Sequence, residues 1–130
     1  MTMDLNDIGA RAKEASYVLA QAGTTLKNRA LQTMYEAFCK NSGKIAAANA
    51  QDILAAKGNG MSDAMIDRLT FDVRRVEKTA NAILDIIALP DPVGRVTGGS
   101  THPNGMSIEK VTAPLGVIGV IFEARPNVTI

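Results

Sequence analysis

An apolar run near the end of the sequence constrains the fold more than any other feature. Residues 114–122 read Pro-Leu-Gly-Val-Ile-Gly-Val-Ile-Phe, without a single charged or amide side chain. A short β-branched run that lacks polar alternation is typical of a strand buried on both faces of a parallel sheet. The sequence therefore predicts an α/β fold in which residues 115–122 form a core strand.

The polar residues that follow this run indicate a binding site. Glu123, Arg125 and Asn127 come directly after the predicted strand. In open α/β sheets, ligands bind just beyond the carboxyl ends of the strands. Arginine can bind a phosphate or carboxylate through two parallel donors, and an asparagine amide can donate to a developing oxyanion. On residue types alone, an ordinary turn at the end of a strand explains the cluster equally well.

One strand cannot form a sheet, because each parallel neighbour is reached by a crossover of about a dozen residues or more. The sequence ends at Ile130, so we expect the chain to be the front part of a larger protein. All five prolines lie within residues 90–130, which places a boundary near residues 88–90.

Helical periodicity dominates the residues before that boundary. The last predicted helix has the clearest pattern, since its apolar residues form one continuous stripe: Val73, Val76, Ala80, Ile83 and Ile87. The stripe is too short to indicate a coiled coil, so packing against other helices is the better interpretation. In chain order, the predicted helices are capped at Asp4, Thr24 or Thr25, Asn41 or Ser42, Ser62 and Thr70.

Residues 91–111 predict a β-hairpin. Residues 91–94 and 98–100 have the composition of turns, and residues 105–111 alternate between apolar and polar side chains. We expect residues 93–97 and 105–111 to pair as antiparallel strands across the loop at residues 101–104.

Charge and cysteine content exclude several classes of function. The net charge of +1 argues against a nucleic-acid partner, and the basic residues 74–78 are interpreted as a solvated helix face. No apolar run approaches the roughly 18 residues of a membrane span, and no secretory signal is present. The single cysteine, Cys39, fits a cytoplasmic protein, and with His102 as the only histidine we expect no metal site. Cys39 is predicted near a helix C-terminus, where the helix dipole disfavours a reactive thiolate.

Residues 114–129, with the sequence Glu-Ala-Arg-Pro-Asn-Val-Thr at their end, resemble the γ-glutamyl phosphate reductases of the aldehyde dehydrogenase superfamily. Residues 8–15, 49–52, 55–58, 69–72 and 91–94 are also similar to that family. The resemblance covers nearly the whole chain, but only about the first third of such an enzyme. It implies a helical part of the cofactor-binding domain over residues 1–90. It further implies a hairpin of the oligomerisation element over residues 91–113, and the first core strand and loop of the dinucleotide-binding domain over residues 114–130.

The resemblance also implies a function, the NADPH-dependent reduction of L-glutamyl 5-phosphate to L-glutamate 5-semialdehyde in proline biosynthesis. In that family a cysteine attacks the acyl phosphate, and hydride then reduces the thioester. That cysteine lies in a later domain, so the present chain alone is expected to be inactive. The implied cofactor-binding residues are Phe122, Glu123, Ala124 and Arg125. Asn127 is the implied oxyanion donor, one or two residues later than in most of the superfamily.

The resemblance implies a homo-oligomeric, cytoplasmic enzyme that acts on a small acyl phosphate, with glutamate 5-kinase as a partner. The alternative is a free-standing helical interaction module that uses residues 115–122 to add a strand to another protein. The two hypotheses differ in whether the apolar run serves an enzyme core or a docking tail.

Overall fold

The computed structural model describes residues 4–130 and contains four α-helices, one β-hairpin and a short 3₁₀ helix. The described residues group into two compact units. One contains the residues up to Thr24 together with Pro90–Gly119, and the other contains Thr25–Leu89 together with Val120–Ile130. The elements are α1 (Leu5–Gln21), α2 (Thr24–Gly58), α3 (Asp63–Leu69), α4 (Val73–Ala88), β1 (Val96–Thr101), β2 (Ser107–Val111) and the 3₁₀ helix (Pro126–Thr129).

The beginning of α1 is confirmed, whereas the predicted break at Asn41 is wrong. The Asp4 carboxylate caps α1 by accepting from the Asn6 N–H at 3.0 Å. A single helix of 35 residues, α2, replaces the second and third predicted helices. The Asn41 side chain does not cap a new helix, because its amide donates to the Ala37 carbonyl of the same helix at 2.8 Å. Such a bond to the preceding turn lets a polar residue sit inside a helix.

The start of α4 also differs from the prediction. Thr70 ends α3, and its hydroxyl donates to the Ile66 carbonyl at 2.7 Å. The N-cap of α4 is Asp72, whose carboxylate accepts from the Arg75 N–H at 2.8 Å. Thr70 and Asp72 both have side chains that can cap a helix, and the N-cap is Asp72, the one nearer the apolar stripe. The stripe itself is confirmed in its centre, where Val76, Ala80 and Ile83 are buried.

The Asn49 side chain fixes the connection between α3 and α4 to α2. Asn49 is the buried polar residue of the described part of the chain. Its amide nitrogen donates to the Leu69 carbonyl at 2.9 Å, and its amide oxygen accepts from the Phe71 N–H at 2.6 Å. Phe71 is thereby held in the core at 5% exposure. The Leu69 carbonyl ends α3 and the Phe71 N–H lies in the connection, so neither has a helical partner. The Asn49 amide therefore satisfies polar groups that would otherwise be left unpaired.

Arg75 joins α4 to α3 from the other side. Its guanidinium donates to the Asp67 carboxylate at 2.6 Å and to the Thr70 carbonyl at 3.0 Å. A further N–H of the same group donates to the Asp67 carbonyl. Arg75 is therefore a bonded member of the helical unit, and the prediction that residues 74–78 form only a solvated face is wrong at this position.

The predicted hairpin is confirmed, with its first strand displaced toward the C-terminus. The strands β1 and β2 pair antiparallel, with Gly99 opposite Glu109 and Ser100 opposite Ile108. Residues 98–100 therefore lie within β1, so their interpretation as a turn is wrong. The connecting turn has Gly105 at a φ of +86°, a backbone conformation that glycine adopts without steric cost.

The strand predicted over residues 115–122 is not formed within this chain. Residues 113–122 have neither helical nor strand hydrogen bonds, and their apolar side chains are exposed, with Leu115 at 89% and Ile121 at 103%. The physical reason is that a strand requires a hydrogen-bonded neighbour, and β1 and β2 pair only with each other in the described residues.

We expect Asn49→Ala to lower the free energy of unfolding by about 1–3 kcal/mol, because it leaves the buried Phe71 N–H unpaired. Urea unfolding followed by far-ultraviolet circular dichroism measures the change. Asn41→Ala is the matched control, since it removes one bond inside a helix and substitutes a better helix former. Equal unfolding midpoints for the two variants would contradict the role assigned to Asn49.

Candidate functional site

The four predicted cofactor-binding residues line one concavity of about 500 Å³ in the second compact unit. Phe122, Glu123, Ala124 and Arg125 all line it. Met65 and Arg68 of α3 line it as well. A volume of this size matches the range of small-molecule sites, about 300–1,000 Å³. The sequence cluster therefore coincides with a surface that can receive a ligand.

The backbone of the cluster turns sharply at Ala124. Ala124 has a φ of +47°, in the left-handed region, and is the one non-glycine residue of the described chain with a positive φ. This conformation costs an alanine about 1–2 kcal/mol relative to ordinary backbone. Non-glycine residues in sparsely populated backbone regions concentrate at binding sites. The strained turn is followed by the 3₁₀ helix, whose Val128 N–H donates to the Arg125 carbonyl at 3.0 Å.

Asn127 lies in this 3₁₀ helix and is exposed. It does not line the concavity that contains Arg125. Its side-chain amide has no hydrogen-bond partner within residues 4–130, so both its donor and its acceptor are available. The structure thus brings the four predicted cofactor-binding residues together and leaves the predicted oxyanion donor beside them.

The concavity includes a cation that the sequence did not indicate. Arg68 stands 57 positions before Arg125 in the sequence. It lies in the short helix α3 with no glycine-rich or aromatic motif around it, so no local signal separates it from an ordinary solvated arginine. Only the tertiary arrangement within the second unit places its side chain on the same surface as Arg125.

The remaining sequence candidates lie outside the concavity. His102 is exposed in the hairpin turn, where its backbone N–H donates to the Met106 carbonyl at 2.8 Å. Cys39 is half-buried in the middle of α2, so the expectation that it lies near a helix C-terminus is wrong. Its thiol and the Tyr35 hydroxyl are hydrogen-bonded one helical turn apart. This bond, together with the negative charge of the Cys39 thiolate, raises the pKa of Tyr35.

Residues 4–130 also lack two other kinds of functional feature. No group of three or more His, Cys, Asp or Glu side chains is arranged to bind a metal ion in this part of the chain. No helix among the same residues combines the length and the apolar character that crossing a membrane requires.

Comparison with known proteins gives a consistent picture. No family model matches the sequence. The gamma-glutamyl phosphate reductase of Histophilus somni is 48% identical over 128 residues, which is 98% of this chain and 31% of that protein. The protein of the same name from Rhizobium etli is 50% identical over 125 residues, or 96% of this chain and 29% of its own length.

Solved structures agree with the sequence matches. The crystal structure of gamma-glutamyl phosphate reductase from Thermotoga maritima matches 98% of this chain and 31% of its own, with a TM-score of 0.93 and 34% identity. The Saccharomyces cerevisiae structure of the same name has a TM-score of 0.90 at 32% identity, over 98% of this chain and 33% of its own. The chain belongs to this family.

Within the gamma-glutamyl phosphate reductase family, the chain corresponds to the N-terminal part and spans about 30% of the length of its curated relatives. The α/β fold, incomplete relative to the full-length proteins, is confirmed by the two solved structures. The family resemblance drawn from residues 114–129 is likewise confirmed, which favours the enzyme hypothesis over the interaction module.

The Tyr35–Cys39 pair gives a direct test of the side-chain geometry in α2. We expect Cys39→Ala to lower the pKa of Tyr35 toward its ordinary value, because both the hydrogen bond and the thiolate charge are lost. The absorbance of tyrosinate as a function of pH measures this in a Tyr17→Phe background, which leaves Tyr35 as the single tyrosine. Cys39→Ser separates the two causes, since it keeps a hydrogen-bonding group without the charge. A pKa that is unchanged in Cys39→Ala would contradict this assignment.

Proposed function

We propose that the chain is part of an NADPH-dependent reductase that converts L-glutamyl 5-phosphate to L-glutamate 5-semialdehyde. The observation that carries the proposal is the match of nearly the whole chain to proteins named gamma-glutamyl phosphate reductase, at 46–50% identity. The name itself indicates reduction of an acyl phosphate. Such a reduction needs a two-electron donor, and a nicotinamide cofactor supplies it as hydride.

The concavity supports the binding of a phosphorylated dinucleotide. Arg68 and Arg125 provide two cations, Phe122 provides an aromatic surface, and Ala124, with its positive φ, contributes a sharp backbone turn to the lining. We assign Phe122, Glu123, Ala124 and Arg125 to the cofactor site on this basis. The residues fit NADPH better than an uncharged ligand, because a phosphate bound here would neutralise part of the local positive charge.

Asn127 is assigned to the reacting carbonyl. In the proposed reaction a cysteine from another part of the protein attacks the acyl phosphate, and phosphate leaves as the thioester forms. The carbonyl oxygen becomes negatively charged as the tetrahedral species forms. The Asn127 amide N–H has no partner within residues 4–130, so it can donate to this oxygen and stabilise the charge.

The rest of the proposal concerns the assembly and its setting. We propose that the hairpin contributes to a homo-oligomer, because Val96, Met106, Ile108 and Val111 are each between 48% and 58% exposed on it. Val96 and Val111 are paired across the two strands, so they form one exposed apolar patch, and such patches are found at interaction surfaces. We further propose a cytoplasmic enzyme of proline biosynthesis that receives its acyl phosphate from glutamate 5-kinase.

A coupled assay tests the function. The full-length protein that contains residues 1–130 is mixed with glutamate, ATP, glutamate 5-kinase and NADPH, and the absorbance of NADPH is followed. We expect oxidation of NADPH that depends on the kinase and on ATP. Cys39→Ser should leave the rate unchanged, because Cys39 lies in α2 away from the concavity. Absence of kinase-dependent oxidation would overturn the proposal.

In the same full-length protein, we expect Asn127→Ala to lower kcat by about 10²–10³, with a smaller change in KM. The reason is that the oxyanion charge exists mainly in the transition state, so its loss affects the rate more than substrate binding. Steady-state kinetics with varied acyl phosphate measure both constants. Asn81→Ala, an exposed asparagine on α4, is the matched control. A change confined to KM would assign Asn127 to substrate positioning and contradict the proposed role.

A further inference from the structure

The concavity in the second unit has two guanidinium groups and one carboxylate on its surface. Arg68 and Arg125 supply the cations, and Glu123 supplies the anion. All three side chains are exposed, and none of them makes a hydrogen bond or ion pair with another residue of 4–130. The described surface therefore carries an excess of one positive charge that no protein group neutralises.

Arg75 shows that protein groups can neutralise an arginine in this unit, so the fold does not force Arg68 and Arg125 to be without partners. Arg75 belongs to the same helical unit, and its guanidinium is bonded to the Asp67 carboxylate and to two backbone carbonyls. Arg68 follows Asp67 directly in the sequence but does not share that carboxylate. A fork of N–H donors without a carboxylate partner is the geometry that binds phosphate, because two donors can reach two oxygens at once.

The apolar residues that line the concavity strengthen this preference. Met65, Phe122 and Val128 give the concavity an apolar lining beside its charged groups. Apolar walls reduce local screening by water, so an anion between the arginines interacts with both more strongly than it would on a flat surface.

We infer that Arg68 acts with Arg125 to bind a terminal phosphate dianion in this concavity, and that Arg68 is a specificity-determining residue of the site. The inference rests on the proposed function, whose reactants carry two such groups. One is the 2′-phosphate that distinguishes NADPH from NADH, and the other is the acyl phosphate of the substrate. Both present the same chemistry to a guanidinium, and kinetics distinguish them.

The first arm of the test measures binding without catalysis. The 130-residue chain is titrated with inorganic phosphate at constant ionic strength, and the arginine side-chain N–H signals are followed by NMR. We expect Arg68→Gln and Arg125→Gln each to weaken phosphate binding about tenfold, as the loss of a charged hydrogen-bonding group does. Arg68→Lys should bind with intermediate affinity, because it keeps the charge but loses the two-pronged geometry.

Arg29→Gln is the matched control, since Arg29 is an exposed arginine of α2 that does not line the concavity. Circular dichroism of each variant verifies that the helices are intact. Phosphate affinity that falls equally in Arg68→Gln and Arg29→Gln, or in neither, overturns the inference. This arm involves no reductase activity, so its outcome is independent of the proposed reaction.

The second arm uses the full-length enzyme to identify which phosphate is bound. If the ligand is the 2′-phosphate, Arg68→Gln lowers kcat/KM with NADPH about tenfold and leaves kcat/KM with NADH unchanged. If the ligand is the acyl phosphate, the KM for glutamyl phosphate rises by a similar factor with either cofactor. Unchanged constants for both ligands would overturn the assignment of Arg68 to the reaction. An inactive wild-type enzyme would instead overturn the proposed function, and the phosphate titration would still decide whether the two arginines bind an anion.

Discussion

The two hydrogen bonds of the Asn49 side chain are the constraint on which the helical unit depends. They hold the three-residue connection between α3 and α4, in which Phe71 is buried and Asp72 begins the next helix. If this connection moved, α3 would lose its position and Arg68 with it. A buried amide that satisfies one carbonyl and one N–H cannot be replaced by an apolar side chain without leaving both backbone groups unpaired. The position of Arg68 in the candidate site therefore depends on Asn49, a residue that does not line the site.

The exposed apolar segment at residues 113–122 has the opposite character, since its backbone forms no helix or strand hydrogen bonds within the described residues. Its β-branched residues favour a strand, but strand formation also requires neighbours with which to share hydrogen bonds. Proteins named gamma-glutamyl phosphate reductase are about three times as long as this chain, which spans 31% of the Histophilus somni protein. We propose that this segment pairs with sheet residues from the remainder of such a protein. Unpaired, it exposes apolar side chains and open edges that favour self-association.

The sequence predicts a feature well when neighbouring residues decide it, and poorly when residues far apart in the sequence decide it. Asp4 at the start of α1 and the apolar stripe of α4 were predictable, because helix caps and periodicity act within a few residues. The fold class was also accessible, since its signal lies in one continuous segment, whereas the cofactor-binding role of residues 122–125 stays a prediction. The helix break predicted at Asn41 is wrong because an asparagine side chain looks the same in the sequence whether it caps a helix or lies inside one. The pairing of Asn49 with Leu69 and Phe71 is decided 20 and 22 positions away, where local patterns carry no information.

Arg68 shows that a charge without a protein partner can indicate a functional residue where no sequence motif does. Arg68 and Arg75 are the same residue type, lie seven positions apart in α3 and α4, and no sequence pattern assigns them different roles. Their surroundings assign them different roles. Arg75 donates to Asp67 and to the backbone, so it stabilises the junction of α3 and α4. Arg68 keeps all of its donors and faces a concavity whose other cation comes from the strained turn after the apolar run. A folded chain retains such a cation beside a second one at an electrostatic cost, and the binding of an anion removes that cost.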